Sequence, residues 1–104
     1  MVQFFHPATG DITLTGVMAA LGDPVRLAIV RALHEAGEGK SCRMACPTQH
    51  IAPSTLSNHF RILREAGLVH TTKRGVENIS VLRHDDLDSR FPGLIEQILS
   101  HEPA

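Results

Sequence analysis

Nowhere in the 104 residues does an apolar run reach the roughly 18 side chains that a transmembrane helix needs. The opening "MVQFFHPATGD" has neither a basic start nor a long apolar stretch. No signal peptide is therefore expected, and a cytoplasmic location is read by default. Cysteine is scarce. Cys42 and Cys46 do not make a disulfide framework, and a reducing cytosol keeps them as thiols unless they are oxidised on purpose. Internal repeats, low-complexity tracts and interdomain linkers are missing, which at this length predicts one domain over 1–104. A Gly-rich phosphate loop, a Ser/His/Asp arrangement and a paired-carboxylate site are missing as well. The chain does not read as an enzyme, and nothing in it calls for a cofactor.

What remains is an ordinary globular composition, 42% hydrophobic and 20% charged, enough for one thin core. Chains of this size often gain stability by oligomerising. The net charge of −1 argues against a nucleic-acid partner until its distribution is read. Arg61, Arg64, Lys73, Arg74 and Arg83 stand against only Glu65 and Glu77 in residues 53–83. Asp85, Asp86, Asp88, Glu96 and Glu102 stand against only Arg90 in residues 84–104. Local field outweighs the total in recruiting a polyanion.

Apolar spacing predicts a first helix at about 11–21 (Leu14, Val17, Met18, Leu21) and a second at about 24–36. Between them "GDP" supplies a C-terminal cap in Gly22, an N-cap in Asp23 and a first-turn proline in Pro24. Residues 1–10 read as an arm and "GEGKS" as a turn. A short helix is placed at about 42–50, broken or limited by Pro47. A further helix follows at about 53–66, with Leu56, Phe60 and Leu63 as its core stripe and His59 and Ala66 on the flank. "LVHTTKRGVENISVLR" predicts two strands joined by the turn "KRGVEN". A helical turn and a helix at about 92–101 end the chain, with a seam of Phe91, Leu94, Ile95, Ile98 and Leu99.

The outer face of the helix in "STLSNHFRILREAGLV" is unusual for one that is merely solvated. It carries Ser54, Ser57, Asn58 and Arg61, compact hydrogen-bonding groups and one long cation. Such a face suits a major groove, where base edges offer donors and acceptors and phosphates line the rim. A short helix, a tight connection and this helix make a helix-turn-helix. The hairpin that follows, with Lys73 and Arg74 near its tip, makes a wing that lies along the backbone or enters the minor groove. The plainer alternative is a solvated helix with an intrahelical Arg61–Glu65 pair at i, i+4.

"ALGDPVRLAIVRAL" followed by "STLSNHFRILREAGLV" resembles the ArsR/SmtB family of winged-helix repressors, over about residues 14–83. The fold the resemblance implies is mainly α with a small β-hairpin. It further implies a homodimer, built from the first and last helices with 84–104 as dimerisation segment. The implied partner is double-stranded DNA, an imperfect inverted repeat at the chain's own promoter, released when an effector binds. Carried over by position, Ser54, Thr55, Ser57, Asn58, His59 and Arg61 fall in the recognition helix, and Lys73 and Arg74 in the wing. One departure is Ala52 before Pro53, where the family usually has Ser as N-cap. The first turn then starts either there or at Ser54, whose role is a cap or a base contact.

Family sensors often carry Cys in the first helix of the helix-turn-helix, or Asp/His pairs in the last helix across the dimer. Cys42 and Cys46 lie in the right region without the closely spaced C-x-C of arsenic-type sensors. Three readings stay open: core packing, a reversible redox or persulfide switch, or a soft-metal or arsenite site with His50 as a third ligand. His84, His101 and Glu102 do not have the zinc-type spacing, so each histidine reads as surface or hydrogen-bonded core and no metal ligand is assigned. Two other functional classes are a small dithiol oxidoreductase and a winged-helix module that binds protein. C-x-x-x-C without a βαβ pattern argues against the first.

Overall fold

The computed structural model describes residues 4–37, 40–41 and 51–101. The short helix expected at about 42–50, and with it Cys42, Cys46 and His50, lies outside the described residues. A 3-10 turn, Thr9–Asp11, leads into α1, Leu14–Leu21, and α2, Pro24–Ala36. The strand β1, Lys40–Ser41, precedes α3, Pro53–Glu65. The hairpin β2, Val69–Arg74, and β3, Glu77–Leu82, is followed by α4, His84–Arg90, and α5, Leu94–Leu99. The strands form an antiparallel sheet in the order β1-β3-β2.

Caps set the helix boundaries. Asp11 belongs to the 3-10 turn, and α1 begins later than the apolar spacing suggests because Thr13 Oγ1 accepts the Gly16 N–H at 3.1 Å. Asp23 caps α2 as expected, accepting from Val25 N at 2.8 Å and Arg26 N at 3.2 Å, with Pro24 in the first turn. The helix α3 starts at Pro53, whose fixed φ suits the first helical position. Ala52 gives it no side-chain cap; its carbonyl accepts from Leu56 N at 2.9 Å. Ser54 is therefore an exposed first-turn residue and not the cap. The helix expected at 92–101 is shorter: Gly93 takes φ +78°, outside the right-handed helical region, so α5 starts only at Leu94 and ends at Leu99.

Two strand expectations are corrected. The segment "KRGVEN" is mostly strand: Lys73 pairs with Asn78 and Arg74 with Glu77, leaving only Gly75 and Val76 as the turn. Gly75 has φ +63° and Val76 does not share a positive φ, the pattern of a type II′ connection whose twist continues the ladder. Cross-strand pairing thus overrides the weak β-propensity of Lys, Arg, Glu and Asn. "GEGKS" is not only a turn, since Lys40 and Ser41 pair with Ser80 and Ile79. That contact spans about forty residues and no local pattern announces it.

The core gathers Val17, Ile29, Leu33, Phe60, Leu63 and Leu87, each 0–1% exposed. Within the sheet, buried Thr71 and Ser80 satisfy each other through a 2.8 Å hydroxyl pair. The last-helix seam turns partly inward. Ile95 is 3% and Leu99 9% exposed, so both serve this chain's own core, and Phe91, Leu94 and Ile98 pack against it partly buried. Arg31 of α2 donates to the Leu99 carbonyl at 2.7 Å and the His101 carbonyl at 2.9 Å. That places a cation at the negative end of α5.

Candidate nucleic-acid interface

The helix α3 is held from below and open above. Phe60 and Leu63 are buried, and Leu56, Ile62 and Ala66 pack partly buried against the core. Ser54, Thr55, Ser57, Asn58 and Arg61 all lie exposed. Arg61 is tied within this face: its Nη1 donates to Glu65 Oε1 at 3.2 Å and its Nη2 to Asn58 Oδ1. The i, i+4 pair of the plainer reading is thus present. An exposed pair of this kind contributes only about 0.3–0.5 kcal/mol, so a phosphate or a guanine edge can displace Glu65 at small cost.

His59 sits apart from these residues. It is half-buried, and its Nδ1 lies 3.3 Å from Arg26 Nη1. Arg26 in turn donates from Nε to the Ala20 carbonyl at 2.6 Å, at the end of α1. His59 therefore joins α3 to the α1–α2 corner, away from the exposed face.

Lys73 and Arg74 are exposed at the tip of the hairpin, beside Val76, which is 95% exposed. The other basic residues of this region are engaged in the fold. Arg83 donates to Asp86 at 2.9 Å and to the Pro7 carbonyl at 2.8 Å, holding the Asp86 carboxyl below its usual pKa. Arg64 stacks over the Phe4 ring at 4.5 Å. The basic side chains most open to a polyanion are thus Arg61, Lys73 and Arg74.

The arm is docked along this region. His6 Nε2 accepts the Thr71 N–H of the edge strand β2 at 2.9 Å, and its ring stacks on His70 at 4.0 Å. Ile12 is buried, and its carbonyl accepts twice from Arg90, at 3.2 and 2.7 Å. Sequence reading missed His6, because its partner lies 65 residues away. His84, read beside His101 and Glu102, instead meets Glu96 of α5 at 2.7 Å and stacks on His34 of α2. His101 lies 3.1 Å from Gln97 Nε2.

A family model described as "Bacterial regulatory protein, arsR family" matches residues 23–71, from the Asp23 cap through α3 into β2. The HTH-type transcriptional regulator YceK of Bacillus subtilis (strain 168) is 38% identical over 82 residues, 79% of this chain and 82% of its own. The chain belongs to the ArsR family. As an ArsR-family member it is a DNA-binding transcriptional regulator. Solved relatives share its winged-helix fold. An ArsR-like transcriptional regulator from Rhodococcus sp. RHA1 is 26% identical with a TM-score of 0.62, covering 84% of this chain and 79% of its own. The transcriptional repressor BigR from Xylella fastidiosa is also 26% identical, with a TM-score of 0.58 over 75% of this chain and 85% of its own. Among the described residues of this ArsR-family chain, no helix is long and apolar enough to cross a membrane.

Proposed function

We propose that this ArsR-family regulator is a homodimeric repressor that binds an imperfect inverted repeat at its own promoter and leaves it when an effector acts. The observation that carries the reading is the face of α3, where Ser54, Thr55, Ser57, Asn58 and Arg61 stand exposed over a buried Phe60 and Leu63. Ser57, Asn58 and Arg61 read base edges, with Ser54 and Thr55 close to the backbone at the helix start. Lys73 and Arg74 contact phosphate from the wing. His59 holds the helix in place through Arg26. The repressor named among the solved relatives supports the direction of control. The effector acts at Cys42 and Cys46, by thiol oxidation or by a soft metal.

Operator binding by variants tests this. Asn58→Ala and Arg61→Ala each cost about 1–3 kcal/mol of discrimination at one position of a half-site. Lys73→Ala weakens binding to all sequences and flattens the salt dependence. Wild-type affinity and selectivity in both α3 variants would overturn the recognition-helix assignment. For the effector, operator affinity falls after oxidant or persulfide treatment of the wild type and stays constant in Cys42→Ser and Cys46→Ser.

A further inference from the structure

Outside the residues assigned to DNA, three elements bring together side chains far apart in sequence. His34 stands in the last turn of α2, His84 opens α4 directly after β3, and Glu96 lies in α5. Glu96 Oε1 is 2.7 Å from His84 Nε2, and Glu96 Oε2 is 3.8 Å from His34 Nε2. One ligand atom from each of the three lies within 4.8 Å of the others. The two imidazoles are nearly parallel, 12° between planes and 5.8 Å between centroids, and both face the same carboxylate. They border an open cavity of about 260 Å³ walled by Leu33, Gly37, Val81 and Leu82.

We propose that His34, His84 and Glu96 form a binding site for a divalent transition metal of the zinc class. Tetrahedral zinc with nitrogen and oxygen ligands at about 2.0–2.1 Å requires donor atoms about 3.3 Å apart. The separations to Glu96, 2.7 and 3.8 Å, bracket that value. Two neutral imidazoles and one carboxylate match the ligand set of three-ligand zinc sites, in which the fourth position stays open to water. The three side chains line the cavity, which has room for that water. Asp85 Oδ1 lies 3.7 Å from His84 Nδ1, beyond hydrogen-bond distance but near enough for a rotation of the exposed carboxylate to supply the outer partner such sites use. All three side chains are partly exposed, 33%, 37% and 55%, so an ion has a path in. A bound metal would pin the end of α2 and the last helix to the base of the wing. This site lies within one chain and uses none of the residues assigned to DNA or to the thiols, so it stands whether or not the proposed repressor reading does.

Zinc titration of the full-length protein, in competition with a chromophoric chelator, tests the site. The expected result is one zinc per chain, retained when Cys42 and Cys46 are both replaced by Ser. His84→Ala and Glu96→Gln each weaken that binding by about 100-fold or more, beyond the 10–100-fold typical of losing an outer partner alone. Cobalt substitution should give the visible bands of a tetrahedral nitrogen–oxygen site without a thiolate charge-transfer band. In the unmodified protein, NMR should show the His34 and His84 ring signals shifting together at one equivalent of zinc, with the remaining histidines unmoved. That measurement keeps the test valid should a variant fold poorly. Absence of stoichiometric binding, unchanged affinity in both variants, a thiolate band, or ring shifts at other histidines would overturn the site.

Discussion

Gly67 ends α3 with φ +86°, and a Cβ built there would lie 2.5 Å from Ile12 Cγ1. The position therefore refuses a side chain twice, by backbone conformation and by the arm that crosses it. Gly67→Ala is expected to lower stability by about 1–3 kcal/mol, read as a reduced urea midpoint. An unchanged midpoint would mean that Ile12 does not pack there. His6 gives a pH dependence. Burial, then the nearby charges of His70, Arg83 and Arg64, lower its pKa from 6.5, so the folded chain holds it neutral as acceptor for Thr71 N–H. The unfolded chain binds this proton more readily. The arm's contribution to stability is thus complete above pH 6.5 and is lost as pH falls through the lowered value. The protection factor of the Thr71 amide, the unfolded chain's exchange rate over its own at the same pH, should fall over that range, and His6→Ala should show low protection at every pH.

Among the elements, α2 has the most readable boundaries. Burial raises the Asp23 pKa, but its hydrogen bonds to Arg26 N and Val25 N outweigh that and lower it below 3.8. Asp23→Ala is expected to cost about 1 kcal/mol and Asp23→Asn much less. The difference between wild type and Asp23→Ala should shrink as pH falls below 3.8, which thermal unfolding across that range would show. Such caps were legible because cap, proline and apolar spacing are local. The wing was legible only as two β-rich runs. Its ladder reaches Arg74 and Glu77 because hairpin pairing, not the propensity of those residues, decides where the strands stop. The exposed polar face of α3 could be read from periodicity, whereas the turning of His59 toward Arg26 could not. That contact depends on where α2 crosses α3.

For the whole molecule, the inward turn of Ile95 and Leu99 takes these two side chains out of the expected dimer seam. A charge at Ile95 would enter this chain's own core, costing on the order of 3 kcal/mol or more, and would not test association. Leu14 and Met18 are better placed. They are 45% and 59% exposed, one turn apart on α1, and are the large outward apolar side chains of that helix. With Leu14→Asp and Met18→Asp combined, the proposed dimer should sediment as a monomer with unchanged helicity, and operator affinity should fall. A variant that sediments and binds like wild type would place the partner contact elsewhere.

By itself the amino-acid sequence determined what is local: the helix periods, the Asp23–Pro24 start, the stop at Gly67 and the polar outer face of α3. These follow from backbone sterics and from apolar spacing, each decided within a few residues. Only the tertiary structure decided the rest. It set the arm along β2, paired β1 with β3, took Arg64 and Arg83 into the fold, and brought His34, His84 and Glu96 to one cavity edge. Those contacts join residues twelve to seventy-six positions apart. They arise from how helices and sheet pack around one core, which no spacing along the chain records.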